Sequence, residues 1–480
     1  MNKSANPFIK APETEDRPRE ACGVFGIFNH KEAAKLTYFG LYALQHRGQE
    51  SAGIAVARQK KIDCHKGMGL VPEVFDAASL EWLDGKYSAI GHVRYSTTGD
   101  SVITNAQPFV VTHEGKSYAV AHNGNLVNAH LLKRELEAEG SIFQTTMDSE
   151  IFLHLLVKNL GHGFEEALSR TVRRLRGAYA LVFLTGKGEL VGIKDPNGFR
   201  PLCLGRKPNG RYVLASETCA LDLVQAEFIR ELAPGEIVII DETGIRSLHP
   251  HPAVRQSCCI FEFIYFARPD SSIFGRNVYQ TRKAHGRQLA REAPVDADLV
   301  MPFPDSGNYA ALGYAEESGL PFDLAMIRNH YVGRTFIQPT QSMRDFGVRM
   351  KLNPVKDLLA GKEIIVIEDS IIRGTTAKTR IKTLRELGVK RIHMRIACPP
   401  HRFPCHYGID FPTKGELIAA RKSVEELRAY LDLDSLHYLS LEGLLRATGG
   451  ADPENNFCKA CFDGCYPVEF DRNVSKGCLA

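Results

Sequence analysis

No stretch of the chain approaches the roughly 18 consecutive apolar residues of a membrane span, and the first 21 residues lack the apolar core of a secretory signal. Both absences predict a cytoplasmic protein with no membrane partner. A dominant charge is missing too: 60 Lys and Arg against 56 Asp and Glu leave +4 over 480 residues, with no basic run. Nucleic acid is therefore not expected as a partner, although local anion sites remain open. Internal repeats and low-complexity tracts are also absent. What is present is ordinary soluble composition, 44% hydrophobic and 24% charged, in a length that suggests two to four domains. Twelve cysteines in a reducing compartment argue against a disulfide scaffold and for metal binding or catalysis at some of them.

Residues 1–20 are polar and proline-containing, a segment expected to be disordered or removed. The run Ala21-Cys22-Gly23-Val24-Phe25-Gly26-Ile27-Phe28 then reads as a strand with a cysteine at its head. Such a cysteine is most often a small buried hydrophobe. Further strand-like runs at 52–57, 88–91, 118–122, 180–184, 190–193, 212–215 and 236–240 are interrupted by helical patterns at 33–44, 128–139, 149–159 and 164–175. This grouping predicts a layered α+β domain up to about residue 255. From about 256 strands alternate with helices: 299–301, 309–318, 363–367, 375–387 and 393–397. That pattern predicts a parallel sheet with crossover helices. A stretch rich in Arg, Gln, Gly and Thr between Tyr331 and Asn353 suggests a mobile loop, an amphipathic helix follows at 423–431, and cysteines cluster at the end.

The most specific segment is Ile364-Ile365-Val366-Ile367-Glu368-Asp369-Ser370-Ile371-Ile372-Arg373-Gly374-Thr375-Thr376. A buried parallel strand ends in two carboxylates, where open α/β sheets bind ligands. The small polar turn that follows can cradle a phosphate at a helix N-terminus. This segment resembles the phosphoribosyl pyrophosphate (PRPP) motif of the type I phosphoribosyltransferases. The resemblance implies that Glu368 and Asp369 hold ribose hydroxyls and Mg²⁺, although Glu368 stands where close relatives carry Asp. It further implies that Ser370, Arg373, Gly374, Thr375 and Thr376 bind the 5-phosphate. Val300-Met301-Pro302-Phe303-Pro304-Asp305-Ser306-Gly307 resembles the pyrophosphate-side loop, with Ser306 as a metal or phosphate contact. Tyr331-Val332-Gly333-Arg334-Thr335-Phe336-Ile337 resembles the loop that orders over PRPP, which makes Arg334 a PRPP contact.

Four segments accompany Cys22: Leu44 to Gly53, Gly91 to Gly99, Ala121-His122-Asn123-Gly124-Asn125-Leu126 and Thr146-Met147-Asp148-Ser149-Glu150. Singly each reads as structural: Asn-Gly is usually a turn and Asp148 could be a helix cap. Together they resemble the glutamine amidotransferases of the N-terminal-nucleophile (Ntn) class, whose fold is an αββα sandwich. The resemblance implies that Cys22 attacks the glutamine side-chain amide. Arg94 and Thr97 with Asp148 would bind the amino acid's head group, and Asn123 and Gly124 the oxyanion. The base would be the Cys22 α-amine, whose reference pKa of about 8 suits it to the task. That requires residues 1–21 to be a propeptide.

Cys458-Lys459-Ala460-Cys461 is a C-x-x-C, which alone is consistent with zinc, iron–sulfur or redox use. With Cys259 before Ile264-Tyr265-Phe266-Ala267-Arg268-Pro269-Asp270, and Cys405 in Pro404-Cys405-His406-Tyr407-Gly408-Ile409-Asp410, the set resembles the iron–sulfur branch of the PRPP amidotransferase family. The resemblance implies a [4Fe–4S] cluster on Cys259, Cys405, Cys458 and Cys461, and domains at 22–255 and 256–480. It also implies glutamine and PRPP as substrates, release of phosphoribosylamine as the first step of purine biosynthesis, purine nucleotide inhibitors and a homotetramer. Two rivals differ in class: an Ntn amidotransferase with a sugar-isomerase or ATP-pyrophosphatase partner domain, and a non-enzymatic regulator built from a decayed pair of domains. Segment 368–376 opposes the first, and retention of Cys22, Arg94, Asn123, Asp148 and Asp369 opposes the second.

Overall fold

The computed structural model describes residues 22–85, 87–95, 101–329, 352–411, 413–449 and 456–470. Its first half contains strands β1 (Gly23–Ile27), β2 (Ser51–Arg58), β3 (Lys61–Met68), β4 (Ala89–Arg94), β5 (Phe109–His113), β6 (Lys116–Leu126), β7 (Gly177–Thr185), β8 (Leu190–Lys194), β9 (Cys203–Arg206), β10 (Tyr212–Ala215), β11 (Glu227–Glu231), β12 (Ile237–Asp241) and β13 (Gly244–Leu248). They pair antiparallel in two sheets, ordered β11-β9-β10-β1-β4-β2-β3 and β13-β12-β8-β7-β6-β5.

Period-2 alternation assigns the faces. Val24, Ala55 and Ile90 of one sheet meet Ala121, Val182 and Val238 of the other in a layer between the sheets. Their neighbours Phe25, Ile54 and Val93 face outward beneath helix Ala33–Ala43. Val120, Phe183 and Ile193 lie beneath helices Ala129–Ala138, Ser149–Asn159 and Phe164–Arg174. The result is the αββα sandwich. Each fully buried Phe along these faces contributes about 1.5–3 kcal/mol of transfer free energy.

In the second half four strands, Leu299–Pro302, Glu363–Glu368, Arg391–Ile396 and Ser435–Tyr438, pair parallel in that order. Helix Asn308–Ser318 packs on the first two, and helix Thr375–Glu386 springs from the turn after the second. The apolar runs Leu299-Val300-Met301 and Ile364-Ile365-Val366-Ile367 are all buried, as a strand covered on both faces requires.

The alternating runs expected from sequence appear within a few residues of their predicted ends. Among the elements missing from the expectation are β3, β5, β9, β11 and β13, helices Ala77–Leu83, Thr218–Leu223, Val278–Glu292 and Leu441–Thr448, and strand Ser435–Tyr438. Four of those five strands lie at sheet edges, where solvent on one side dilutes the apolar period. The loop expected between Tyr331 and Asn353 falls largely outside the described residues. Its far end is not loop: Leu352–Pro354 is a strand paired antiparallel with Met326–Arg328.

Candidate active site

Cys22 stands immediately before β1, and because Gly23 registers with Val93 of β4, the cysteine lies opposite Arg94. Its thiol is buried and donates to the Tyr95 carbonyl at 3.4 Å. Burial pushes the Cys22 thiol up, the Tyr95 contact and the Arg94 charge oppose this, and Glu50 and Asp148 add to it. Its surroundings alone do not make it a thiolate, so a nucleophilic role requires an adjacent base.

The charges felt by the sulfur are the residues the motifs supply. Arg94 Nη1 donates to Glu50 Oε1 at 3.1 Å. Asp148 Oδ1 lies 3.1 Å from His122 Nδ1, and its Oδ2 accepts from the Leu126 N–H at 2.9 Å. Burial would raise the Asp148 carboxyl, but His122 and the Leu126 donor hold it below the ordinary carboxylate range. Glu50 and His122 were not singled out from sequence. Both lie inside the quoted motifs, and the available signal was an opposite charge one motif away. Thr97 lies outside the described residues.

Asn123 and Gly124 sit on β6, next to His122, whose carbonyl lies 3.0 Å from His92 Nε2 of β4 in the facing sheet. The Asn123 side chain is wholly buried, and neither Oδ1 nor Nδ2 has a hydrogen-bond partner. A buried unsatisfied amide costs about 1–3 kcal/mol, so its retention points to a ligand. Gly124 has φ +147°, and a Cβ there would lie 2.0 Å from the Ala178 carbonyl. Only glycine fits this position, where both the positive φ and the approach of the Ala178 carbonyl exclude a side chain.

At the second centre, strand Glu363–Glu368 delivers Glu368 and Asp369 beside the turn that carries Ser306. Glu368 is tied into the protein: Arg380 Nη1 donates to its Oε2 at 2.8 Å, with the Ser306 hydroxyl at 3.5 Å from Oε1. Arg380 itself lies over the Phe303 ring, 4.9 Å from its centroid. Asp369 Oδ2 accepts from Ser370 Oγ at 2.7 Å. Gly374, at φ +80°, turns the chain into helix Thr375–Glu386, so Thr375 and Thr376 form its first turn. Arg373 Nη2 donates to Glu416 Oε1 at 3.2 Å, a partner the sequence did not suggest. Arg334 lies outside the described residues.

The four cysteines come from three segments. Strand Cys258–Cys259 pairs parallel with Phe457–Cys458, with Cys259 in register with Cys458. The Cys461 carbonyl accepts from the N–H groups of Arg402 and Phe403, which draws in the loop holding Cys405. Burial pushes the Cys259 thiol up to about 12 against the pull of Arg200, and burial together with the neighbouring sulfurs raises Cys458 and Cys461 well above the ordinary thiol value. Every described cysteine is free. Among the described residues no group of three or more His, Cys, Asp or Glu side chains has the geometry to hold a metal ion.

A buried charge network joins the two halves. Arg47 donates to Glu217 at 3.1 Å and to Glu262 at 2.6 and 2.9 Å, and Arg200 donates to Glu262 at 3.0 Å. All four side chains are essentially inaccessible. Among the described residues no helix is long and apolar enough to cross a membrane.

The chain is similar to known proteins along most of its length. Residues 92–223 match a family described as a glutamine amidotransferase domain. Amidophosphoribosyltransferase 2, chloroplastic, of Arabidopsis thaliana is 50% identical over 458 residues, covering 95% of this chain and 81% of that protein. The amidophosphoribosyltransferase of Synechococcus elongatus is 49% identical over 473 residues, covering 97% and 95%. The solved glutamine PRPP amidotransferase of B. subtilis, complexed with ADP and GMP, superposes with a TM-score of 0.89 at 47% identity, over 95% of this chain and 99% of that one. The chain belongs to the amidophosphoribosyltransferases, glutamine-dependent pentosyltransferases that catalyse the first step of purine biosynthesis.

Proposed function

We propose that the reaction is divided between two domains, residues 22–255 releasing ammonia from glutamine and residues 256–480 using it on PRPP. Removal of residues 1–21 as a propeptide frees the Cys22 α-amine, which takes the thiol proton. The thiolate attacks the glutamine side-chain carbonyl, and the oxyanion is met by Asn123 Nδ2 and the Gly124 N–H. Ammonia leaves, and water hydrolyses the thioester to glutamate. Arg94 and Thr97 hold the substrate's carboxylate, and Asp148 its ammonium. The observation that carries this reading is the buried, partnerless Asn123 amide on the strand that Asp148 braces.

In the second domain ammonia adds to C1 of PRPP as pyrophosphate departs, giving 5-phosphoribosylamine. Ser370, Arg373, Gly374, Thr375 and Thr376, with Arg334, grip the 5-phosphate. The family commonly binds Mg²⁺. Asp369 is the carboxylate best suited to hold it with the ribose hydroxyls, because Glu368 is already paired with Arg380; Ser306, beside Glu368, is the further proposed contact. The bound ion would offset the charge of the departing pyrophosphate.

The cysteine set is the proposed site of a [4Fe–4S] cluster: Cys461 feels the charges of Cys458, Cys259 and Cys405, so sulfurs from three segments share one neighbourhood, and soft thiolates suit iron–sulfur ligation. The cluster would clasp the C-terminal segment to the second domain. The B. subtilis relative was solved with ADP and GMP. Purine nucleotides, which carry a 5-phosphorylated ribose as PRPP does, are accordingly the inhibitors proposed here. The proposed assembly is a cytoplasmic homotetramer, checked by light scattering of the purified protein.

The deciding experiment pairs pyrophosphate release with mass spectrometry of the N-terminus. Cys22→Ala should abolish glutamine-dependent turnover and retain turnover with free ammonia. Loss of both would refute separate centres, and full activity in protein that keeps residues 1–21 would refute the α-amine as base.

A further inference from the structure

We propose that Gly408 and Asn125 are positioning residues for the oxyanion hole: the second half of the chain sets where the Gly124 N–H points. This rests on the assignment of Asn123 and Gly124 above. Gly408 follows Cys405 by three residues, has φ +94°, and packs directly on the Gly124 backbone. A Cβ on Gly408 would lie 2.8 Å from the Gly124 carbonyl carbon, 2.9 Å from its Cα and 3.0 Å from its oxygen. Gly124 also has no room for a side chain of its own, since a Cβ there would lie 2.0 Å from the Ala178 carbonyl oxygen of β7. The Cα that carries the donating N–H, and the carbonyl that follows it, are therefore packed against backbone of the other half. One residue on, Asn125 Nδ2 donates to the His406 carbonyl at 2.9 Å and fixes the same loop to the same strand.

The loop is itself braced. The Tyr407 ring stacks on Phe199 with centroids 4.5 Å apart, and its carbonyl accepts from Arg200 Nη2 at 2.8 Å. The Tyr407 hydroxyl donates to the Val468 carbonyl at 2.6 Å. Bulk added at Gly408 is therefore transmitted to Gly124 instead of being absorbed by the loop. An oxyanion donor acts only within about 2.7–3.1 Å of the developing charge, so a displacement of tenths of an ångström is read in kcat and not in ground-state binding.

The test uses processed, metal-replete protein. Gly408→Ala should lower kcat for glutamine hydrolysis about 10- to 100-fold, a fraction of the 10²–10³ that follows complete loss of a donor. The glutamine KM, the ammonia-dependent rate and the iron content should stay near wild type. Asn125→Ala adds no bulk and should give the same pattern at about 3- to 10-fold, and it decides the matter if Gly408→Ala does not fold. Unchanged kcat in both variants, a loss confined to KM, or a parallel loss of ammonia-dependent turnover and iron would overturn the proposal. Asn123→Ala separates the premise from the inference. If it leaves kcat intact, the oxyanion assignment itself fails. If it lowers kcat while Gly408→Ala and Asn125→Ala do not, only the positioning role fails.

Discussion

Replacing Glu262 by glutamine keeps the side chain's shape and removes one negative charge from the buried network between the halves. Glu262 accepts from Arg47 at 2.6 and 2.9 Å and from Arg200 at 3.0 Å. After the change Arg47 keeps Glu217 at 3.1 Å, a carboxylate it shares with His46, and Arg200 loses its contact with a charged carboxylate. At an effective dielectric constant of about 20, each charge contact near 3 Å is worth about 5 kcal/mol. The substitution gives up two of them, and offsets part of the loss because Glu262 no longer has to be desolvated. Breaking buried ion pairs by removing one partner costs about 3–5 kcal/mol, and that is the expected destabilisation. Glu165→Gln is the comparison: its partner Arg246 is 36% exposed and Glu165 is 46% exposed, so its loss should cost under about 1 kcal/mol. Urea unfolding followed by far-ultraviolet circular dichroism and by the single tryptophan, Trp82 in the first half, would measure both. A Glu262→Gln unfolding free energy within about 1 kcal/mol of wild type would refute the view that this network fastens one half to the other.

Three further expectations follow from single sites. Burial would raise the Glu217 carboxyl, but His46 and Arg47 hold it far below its ordinary value. Because the folded value is depressed, its stabilisation is complete above the unfolded value of about 4.5 and drains away as pH falls further. Glu217→Gln should therefore lose less melting temperature between about pH 5 and pH 3 than wild type, and parallel curves would exclude the effect. Gly374→Ala places a Cβ at φ +80°, 2.9 Å from Ile418 Cδ1, at a cost of about 1–2 kcal/mol in the turn proposed to hold the 5-phosphate. The PRPP KM should rise about 5- to 30-fold, and an unchanged KM would remove this turn from the PRPP site. Cys461→Ser should purify with little iron and without the broad brown absorbance of a cluster, whereas zinc alone by elemental analysis of the wild-type protein would overturn the cluster assignment.

Much of the architecture is legible in the sequence because the segments that build it are buried on regular faces. Val24, Phe25 and Ile27 alternate as a strand between two layers must. The unbroken run Ile364 to Ile367 reads as a strand covered on both sides, and the carboxylates after it land at the strand end where ligands bind. Edge strands such as Lys61–Met68 were invisible for the converse reason: their side chains are half-exposed and follow no apolar period. The partners of the site residues were invisible for another reason. Nothing in the spacing of Arg94, Asp148 or Glu368 says that Glu50, His122 and Arg380 neutralise them, since each pairing depends on packing across a sheet or from strand to helix.

The contacts between halves lie furthest from any sequence rule, and they bear most on how two chemistries share one chain. Gly408 in its motif looks like a turn residue, and its positive φ alone would explain it. Only the fold shows that the missing side chain is space occupied by the backbone of Gly124, 284 positions earlier in the chain. Arg200 likewise reads as an ordinary residue after a turn. It is wholly buried, paired with Glu262, and bonded to the carbonyl of Tyr407 beside the cysteine loop. Phe199, next to it, accepts from the Cys259 N–H at 3.1 Å. Residues of the first half thus line one side of the four-cysteine neighbourhood, and the Cys405 loop in turn packs on Gly124. On the proposed assignments each half completes the other's site, so a change that separates them should cost glutamine hydrolysis and cluster retention together. The two losses should share one unfolding transition in Glu262→Gln, and a cluster signal that outlasts glutaminase activity by a clear margin in urea would show that the sites are built independently.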